Sequence, residues 1–142
     1  MRRPKTDRVP RTRAGNNWTE AGFWGFLRSG FRQMSTRWPP LSDVLKARRR
    51  EYHGPNKRQK YEYQCEQCEQ WFPQAKTIGG KRKALVHVDH IEECGTLKSF
   101  DDVQGFIERL FCEADGLRVL CESCHQSRTN QVRSDVVRNL RT

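Results

Sequence analysis

The clearest periodic pattern of apolar residues lies between positions 103 and 111. Five apolar side chains follow one another there at i, i+3, i+4, i+7 and i+8: Val103, Phe106, Ile107, Leu110 and Phe111. This spacing places them on one face of an amphipathic α-helix. Ser99 precedes the pattern, and Asp102 follows three residues later, as in a capping box. We therefore predict an amphipathic helix whose capping signature is at Ser99 and Asp102.

A second helical pattern lies nearer the N-terminus. Asn17 and Glu20 have the spacing of a capping box, and apolar residues follow at helical intervals: Phe23, Phe26, Leu27, Phe31 and Met34. The Trp38-Pro39-Pro40 sequence ends this helix, because a residue before proline avoids the α region. A further helix is expected to begin at Ser42 and to run to Arg50.

Strand-like patterns dominate the second half of the chain. Tyr61, Tyr63 and Cys65 alternate with polar residues, and Gly79-Gly80 is a turn signal. Further short strands are expected at residues 68–72, 85–88 and 117–120, and a last helix near Cys124. The mixture of helices and strands predicts an α+β fold.

Positive charge is concentrated in the first half of the chain. The 142 residues include 27 Lys and Arg and 17 Asp and Glu, which gives a net charge of +10. Residues 1–60 hold 16 of the basic and 4 of the acidic side chains, whereas residues 61–142 hold 11 and 13. We expect a disordered basic tail over residues 1–16, a helical basic extension over 17–60 and a separate domain over 61–142.

The basic extension is also rich in aromatic residues, which favours a nucleic-acid partner. Cations contact phosphates, and rings pack on bases or sugars. The candidate nucleic-acid-binding residues are nine cations: Arg28, Arg32, Lys46, Arg48, Arg49, Arg50, Lys57, Arg58 and Lys60. Two alternatives are a solvated tail that only aids solubility and, for Phe23, Leu27 and Phe31, a small core within the extension.

Other features restrict the class of protein. No stretch contains the roughly 20 apolar residues of a membrane span, and the N-terminus lacks the apolar region of a secretory signal. We therefore expect an intracellular protein with no membrane partner. Only 35% of the residues are hydrophobic, below the usual 45–50% or so. Something other than hydrophobic burial is expected to help hold the fold together.

Four of the six cysteines form two CxxC pairs, Cys65 with Cys68 and Cys121 with Cys124. Two such turns supply the four thiolates of a tetrahedral shell, and thiolates select zinc over magnesium or calcium. Four protein ligands leave no open position, so we expect a structural zinc ion. The alternatives are a redox CxxC pair or unbound thiols.

Histidine and aspartate residues accompany these cysteines. The chain contains His87-Val88-Asp89-His90, and His125 directly follows Cys124. If the strand that ends at His90 lies against the last helix, Asp89, His90 and His125 can meet. Asp and His suit a divalent cation with open positions, and a His that is not a ligand can act as a general base. A metal ion and a base are the minimum for phosphodiester hydrolysis.

These motifs, in their order along the chain, resemble an HNH endonuclease. The order is the first CxxC pair, then Val88-Asp89-His90-Ile91, then Leu120-Cys121 with Cys124-His125. The chain is most similar to the small HNH proteins that tailed bacteriophages encode. The resemblance covers about residues 52–131 and includes the segment from Ser99 to Cys121.

The resemblance implies a ββα-metal (His-Me finger) core beside the four-cysteine zinc site. It implies His90 as the general base, and Asp89 and His125 as ligands of a catalytic Mg²⁺, for which Mn²⁺ or Ni²⁺ can substitute. The products would carry 5′-phosphate and 3′-hydroxyl ends. The family's central Asn falls on Gly116 here. Asp115, a backbone carbonyl or no group at all would take its place.

The resulting hypothesis is a metal-dependent HNH endonuclease that hydrolyses double-stranded DNA in the cytoplasm of a bacterial host. Its role would be homing, DNA packaging with a phage terminase, or degradation of host DNA. The alternatives are a non-catalytic zinc-dependent nucleic-acid-binding module and a packaging accessory factor. His87 is either a substrate contact or a solvated strand residue, and His53 is not expected to be catalytic.

Overall fold

The structure is a computed structural model that describes residues 8–140, with side chains as far as residue 135. Within this range the chain forms a mixed α+β fold of four α-helices and four small antiparallel sheets. The helices are α1 (Glu20–Ser35), α2 (Pro39–Ala47), α3 (Val103–Leu110) and α4 (Glu122–Leu140). The strands are β1 (Arg11–Arg13), β2 (Trp18–Thr19), β3 (Arg49–Glu51), β4 (Tyr61–Gln64), β5 (Trp71–Phe72), β6 (Ala75–Ile78), β7 (Lys81–Ala84), β8 (Val86–His90) and β9 (Leu117–Cys121).

The described residues divide into two compact units. The first contains residues 8–38 and 93–111, and the second contains residues 39–92 and 112–140. This division differs from the three consecutive segments expected from the charge pattern. Residues 39–60 belong to the unit that carries the cysteines, because α2 and β3 pair or pack with elements of that unit.

The first unit is built around α1 and α3. Its buried residues are Trp24, Leu97, Phe106 and Leu110, and Phe23, Leu27 and Phe31 pack against them. Phe23, Leu27 and Phe31 are thus core residues, but the core is shared with Leu97, Phe106 and Leu110 and is not confined to the extension. Phe26 and Met34 are exceptions on α1, since 58% and 45% of their surfaces are exposed.

The N-terminal cap of α1 differs from the sequence expectation. The cap is Thr19, whose side-chain oxygen accepts a hydrogen bond from the backbone N–H of Gly22 at 3.0 Å. Asn17 instead lies in the β1–β2 hairpin and donates to the carbonyl of Ala14. Glu20, expected to close a capping box, binds Arg13 and the indole N–H of Trp24. The side chain of Glu20 therefore joins β1 to α1.

Residues 11–13 are a strand where the composition predicts disorder. Arg13 pairs with Glu20 at 2.8 Å, and its guanidinium lies 4.6 Å from the ring centroid of Phe23. These contacts hold a hairpin whose turn includes Ala14 and Asn16 at positive φ. Composition misses this strand because its partners lie several residues further along the chain. Residues 1–7 of the predicted tail lie outside the described residues.

The second helix begins at Pro39 and ends at Ala47, three residues earlier at each end than the sequence indicates. Proline suits the first turn of a helix, where its missing N–H has no partner to lose. Val44 is buried, and Leu41 and Leu45 pack on the same core. Arg49 and Arg50 belong to β3, because the backbone there pairs with β4.

The second unit also contains a strand–strand–helix succession. β8 pairs antiparallel with β9, in a register that runs from Val86 opposite Cys121 to His90 opposite Leu117. The helix α4 begins at Glu122, directly after β9. Val86, Leu117 and Val119 are buried between this pair and α2. The strands expected at residues 85–88 and 117–120 are confirmed.

None of the helices in the described range is long and apolar enough to cross a membrane.

Candidate functional site

The four cysteines of the two CxxC pairs lie close together. The Sγ atoms of Cys65, Cys68, Cys121 and Cys124 all lie within 4.8 Å of one another. Cys68 Sγ lies 3.8 Å from Cys121 Sγ. A tetrahedral zinc site with bonds of ~2.3 Å has sulfur–sulfur edges of about 3.8 Å. The four cysteines could therefore hold a metal ion such as zinc.

The backbone explains why pairs so distant in sequence meet. Cys65 follows β4, and Cys121 ends β9. Glu66 joins the two strands, since its N–H donates to the carbonyl of Val119 at 2.8 Å and its side chain accepts from the N–H of Val119. Cys124 lies in the first turn of α4. Leu120 and Phe72 belong to the same hydrophobic cluster as Cys65, Cys121 and Cys124.

The thiols of this cluster differ in pKa. Burial raises the pKa of Cys65, but hydrogen bonds from the backbone at Cys68, Cys121 and Gln67 outweigh it and lower the pKa to about 6. Burial and the neighbouring thiols raise the pKa of Cys124 to about 12. One thiolate thus opposes ionisation of the next, and a divalent cation would remove that opposition.

The second polar group lies between β8 and α4. The ring of His87 stacks on the ring of His125, with centroids 4.5 Å apart and planes at 17°. His87 Nε2 also makes a hydrogen bond with the carboxylate of Glu122, which lowers the pKa of Glu122. The Nδ1 atom of His125 is buried and has no hydrogen-bond partner among the described residues.

Asp89 lies on the same face of β8 as His87 and contacts α4 through Arg128. The Nη1 atom of Arg128 donates to the Asp89 carboxylate and to the carbonyl of His90, and Nη2 donates to the carbonyl of Ile91. Arg118 Nε lies 4.0 Å from the same carboxylate. Arg128 therefore fastens the end of β8 to α4.

The two expected ligands of the catalytic metal ion, Asp89 and His125, and the expected base, His90, lie on adjoining elements of the second unit. Asp89 and His90 end β8, and His125 lies in the first turn of α4. Among the described residues, only the four cysteines bring three or more such ligand atoms within 4.8 Å of one another. His90 lies on the opposite face of β8 from Asp89, since side chains alternate along a strand.

Gly116 has a structural reason to be glycine. A Cβ atom at this position would lie 2.9 Å from Cys112 Sγ and 3.1 Å from Cys112 Cβ. The carbonyl of Gly116 accepts a hydrogen bond from the N–H of Ile91 at 2.9 Å. A backbone hydrogen bond thus holds the segment after His90, and Cys112 fills the space beside Gly116.

Several cations expected to bind nucleic acid are engaged within the protein. Arg48 pairs with Glu66 at 2.8 Å, and Arg50 pairs with Glu62 at 2.6 Å. Arg49 lies over the ring of Tyr61, and Arg28 donates to the carbonyl of Leu97 at 3.3 Å. The other five expected cations are exposed: Arg32, Lys46, Lys57, Arg58 and Lys60.

Sequence reasoning missed Glu122 and Arg128 as members of the polar group. Their spacing offers a signal, because residues three apart on a helix share a face. Glu122 lies three residues before His125, and Arg128 lies three residues after it.

No family model, curated protein or solved structure matches this chain.

Proposed function

We propose that this chain is a metal-dependent endonuclease of the HNH type that hydrolyses phosphodiester bonds of double-stranded DNA. The observation that supports the proposal most is the succession of β8, β9 and α4 beside the cysteine cluster. It carries Asp89-His90 at the end of the first strand and His125 in the first turn of the helix. This is the order of elements and residues that a ββα-metal core requires.

Asp89 and His125 would hold the catalytic divalent ion, Mg²⁺ by preference. A carboxylate and an imidazole are suitable donors for such an ion. The buried Nδ1 of His125, which has no hydrogen-bond partner among the described residues, fits a ligand role. When bound, the ion would supply stabilisation of the charge that develops on the phosphate and on the leaving oxygen.

His90 would act as the general base that takes a proton from the attacking water. A neutral imidazole can do this near neutral pH. Its backbone is held on both sides, because Arg128 binds the carbonyls of His90 and Ile91 and Gly116 accepts from the N–H of Ile91. These contacts would hold the backbone that carries the imidazole at the end of β8.

The proposal is tested by incubating supercoiled plasmid with the full chain and Mg²⁺ or Mn²⁺. We expect nicked or linear DNA with 5′-phosphate and 3′-hydroxyl ends, and no cleavage in EDTA. Protein purified identically with His90→Ala controls for contaminating nucleases. An absence of cleavage under every divalent ion, by a chain that still binds DNA and retains its zinc, would contradict the proposal.

A second candidate function is a zinc-dependent nucleic-acid-binding module without catalysis. The engagement of Asp89 by Arg128 favours it, because this carboxylate already has a cationic partner. Such a module would bind DNA in a salt-sensitive manner and leave it intact. For either function, copurification with a large terminase subunit would support a packaging role, and a preferred cleavage site in a phage gene would support homing.

A further inference from the structure

The strands β6 and β7 form a hairpin whose surface is almost entirely solvent-exposed. Gly79 and Gly80 join the strands, both at positive φ, as a two-residue turn of type I′ requires. Every residue from Lys76 to Ala84 is exposed. The side chains of this hairpin therefore contribute little to a hydrophobic core. Core packing does not account for the charges that they carry.

The hairpin carries four cations and no carboxylate between Ala75 and Ala84: Lys76, Lys81, Arg82 and Lys83. Lys76 stands directly opposite Lys83 in the strand register. Like charges in this position repel and destabilise a hairpin. Lys81 lies on the same face, opposite Ile78, whose surface is 52% exposed. Three ammonium groups and one exposed apolar side chain thus share one face of a ribbon.

No carboxylate forms a salt bridge with these four cations among the described residues. The charge of Lys83 helps to lower the pKa of Glu122, but the largest cause of that shift is the hydrogen bond between Glu122 and His87. Within the described part of the chain, no salt bridge therefore offsets the repulsion between Lys76 and Lys83. A bound polyanion would offset it.

A cleft beside the hairpin adds further positive charge. It has a volume of about 730 Å³, and four cations line it: Arg58, Lys60, Lys76 and Arg82. No carboxylate is among the lining residues. Arg58 and Lys60 come from the loop before β4, whereas the other two come from the hairpin. Two separate segments thus direct cations toward one concave surface.

We propose that the β6–β7 hairpin and this cleft form a surface that binds the phosphate backbone of duplex DNA. The cations are spread along the ribbon and into the cleft, which suits phosphates that recur along a duplex better than a single small anion. A two-stranded ribbon also fits the major groove of B-DNA, which is about 12 Å wide. The choice of DNA as the polyanion rests on the proposed function.

The surface was not evident from the sequence because the net charge of residues 61–142 is slightly negative. Averaging over that range conceals a segment of ten residues with four cations. The proposal also changes where DNA contacts are expected. Of the nine cations inferred from the sequence, Arg58 and Lys60 would act with the hairpin rather than with the N-terminal extension.

The test compares two triple variants of the full chain. One removes hairpin charge through Lys76→Gln, Arg82→Gln and Lys83→Gln. The matched control removes three exposed cations elsewhere, through Arg37→Gln, Lys98→Gln and Arg133→Gln. Both lose the same net charge at exposed positions, so both should keep the wild-type circular dichroism spectrum. Neither should have a lower thermal midpoint than wild type, and the hairpin variant should gain stability because the repulsion between Lys76 and Lys83 is removed.

Affinity for a 25-base-pair duplex is measured by fluorescence anisotropy over a series of salt concentrations. Each lost phosphate contact lowers the slope of log K against log salt by about 0.9. We expect the hairpin variant to lose about two to three units of slope and at least about tenfold in affinity at 100 mM salt. The control should lose less than one unit. Equal slopes for the hairpin variant and wild type, or equal losses in both variants, would overturn the proposal.

Two further outcomes separate this inference from the proposed function. A chain that cuts no DNA but binds it through the hairpin would leave this inference standing and remove the nuclease. A chain that cuts DNA while the hairpin variant keeps the wild-type slope would do the reverse. A loss of binding confined to duplex RNA of the same length would assign the surface to RNA and contradict the present proposal.

Discussion

The guanidinium of Arg128 binds the carboxylate of Asp89, and each side chain is only 17% exposed. The same guanidinium binds the carbonyls of His90 and Ile91. One side chain of α4 thus holds a proposed metal ligand and the backbone of the proposed base. The pair matters for both candidate functions, because it either prepares the end of β8 for catalysis or occupies Asp89 permanently.

We predict that Arg128→Ala destabilises the protein by about 2–4 kcal/mol. The substitution leaves a largely buried carboxylate and two carbonyls without their donor, and such losses have this magnitude. The free energy of unfolding is measured by urea denaturation. Arg133→Ala, which removes an exposed cation further along α4, serves as the control and should change stability by less than about 0.5 kcal/mol. Equal effects of the two substitutions would show that the contacts of Arg128 contribute nothing to stability.

The contact between Gly116 and Cys112 leads to a second prediction. Gly116→Ala should cost about 1–3 kcal/mol, since its Cβ would lie too close to the side chain of Cys112. In a Cys112→Ala background the cost should be smaller, because the closer of the two atoms, Sγ, is gone. A double-mutant cycle by urea denaturation measures the difference. An unchanged cost in that background would mean that Cys112 is not what excludes a side chain at position 116.

The contacts of Arg128 with Asp89 and of Cys112 with Gly116 show which features the sequence could and could not predict. The position of His125 next to the cysteines followed from adjacency in sequence, and the strand before His90 followed from its apolar run. The contact of Arg128 with Asp89 depends on the angle at which α4 crosses β8, which no local pattern encodes. The packing of Cys112 against Gly116 likewise arises only when the 3-10 turn of residues 114–116 is formed.

The cysteine cluster gives a third prediction, which concerns metal content. The purified wild-type chain should contain about one zinc ion per molecule by mass spectrometry of the metal. Cys121→Ser removes one of the four thiolates. This variant should lose most of its zinc, and its second unit should no longer unfold cooperatively. Cys94→Ser, at a cysteine outside the cluster, should keep both. Full zinc content in Cys121→Ser would contradict the assignment of the four cysteines as ligands.

The ion pair of Arg13 and Glu20 gives a fourth prediction, which concerns pH. Hydrogen bonds from Arg13 and then from Trp24 lower the pKa of Glu20 from 4.5 to about 2. A lowered pKa means that the ionised carboxylate stabilises the fold above pH 4.5, and that this contribution is lost as the pH falls toward 2. Glu20→Gln should therefore lower the thermal midpoint at pH 7, and the gap to wild type should narrow between pH 4.5 and 2. A gap that stays constant over this range would contradict the role of the charge.

Sequence patterns were also more informative about the buried faces of the helices than about their ends. The apolar stripes of α1 and α3 predicted the core of the first unit, because burial of an amphipathic face is a local property of each helix. The ends of α1 and α2 were displaced by a few residues, since Thr19 and Pro39 provide better starts than Asn17 and Ser42. The basic residues 48–50 lie beyond the end of α2, although the sequence predicted them to be helical, because Arg49 and Arg50 form a strand that pairs with β4.

The central claim is that the β8–β9–α4 segment cuts DNA with His90 as the general base. The most direct measurement is the single-turnover rate constant for plasmid cleavage in Mg²⁺, with protein in excess over DNA. His53→Ala serves as the matched control, because the His53 side chain is 83% exposed and lies outside this segment. The account predicts that His53→Ala cuts at the wild-type rate, whereas His90→Ala is slower by about 10²–10⁴-fold and still binds DNA and zinc normally. A His90→Ala rate constant within about threefold of the wild-type value would contradict the account.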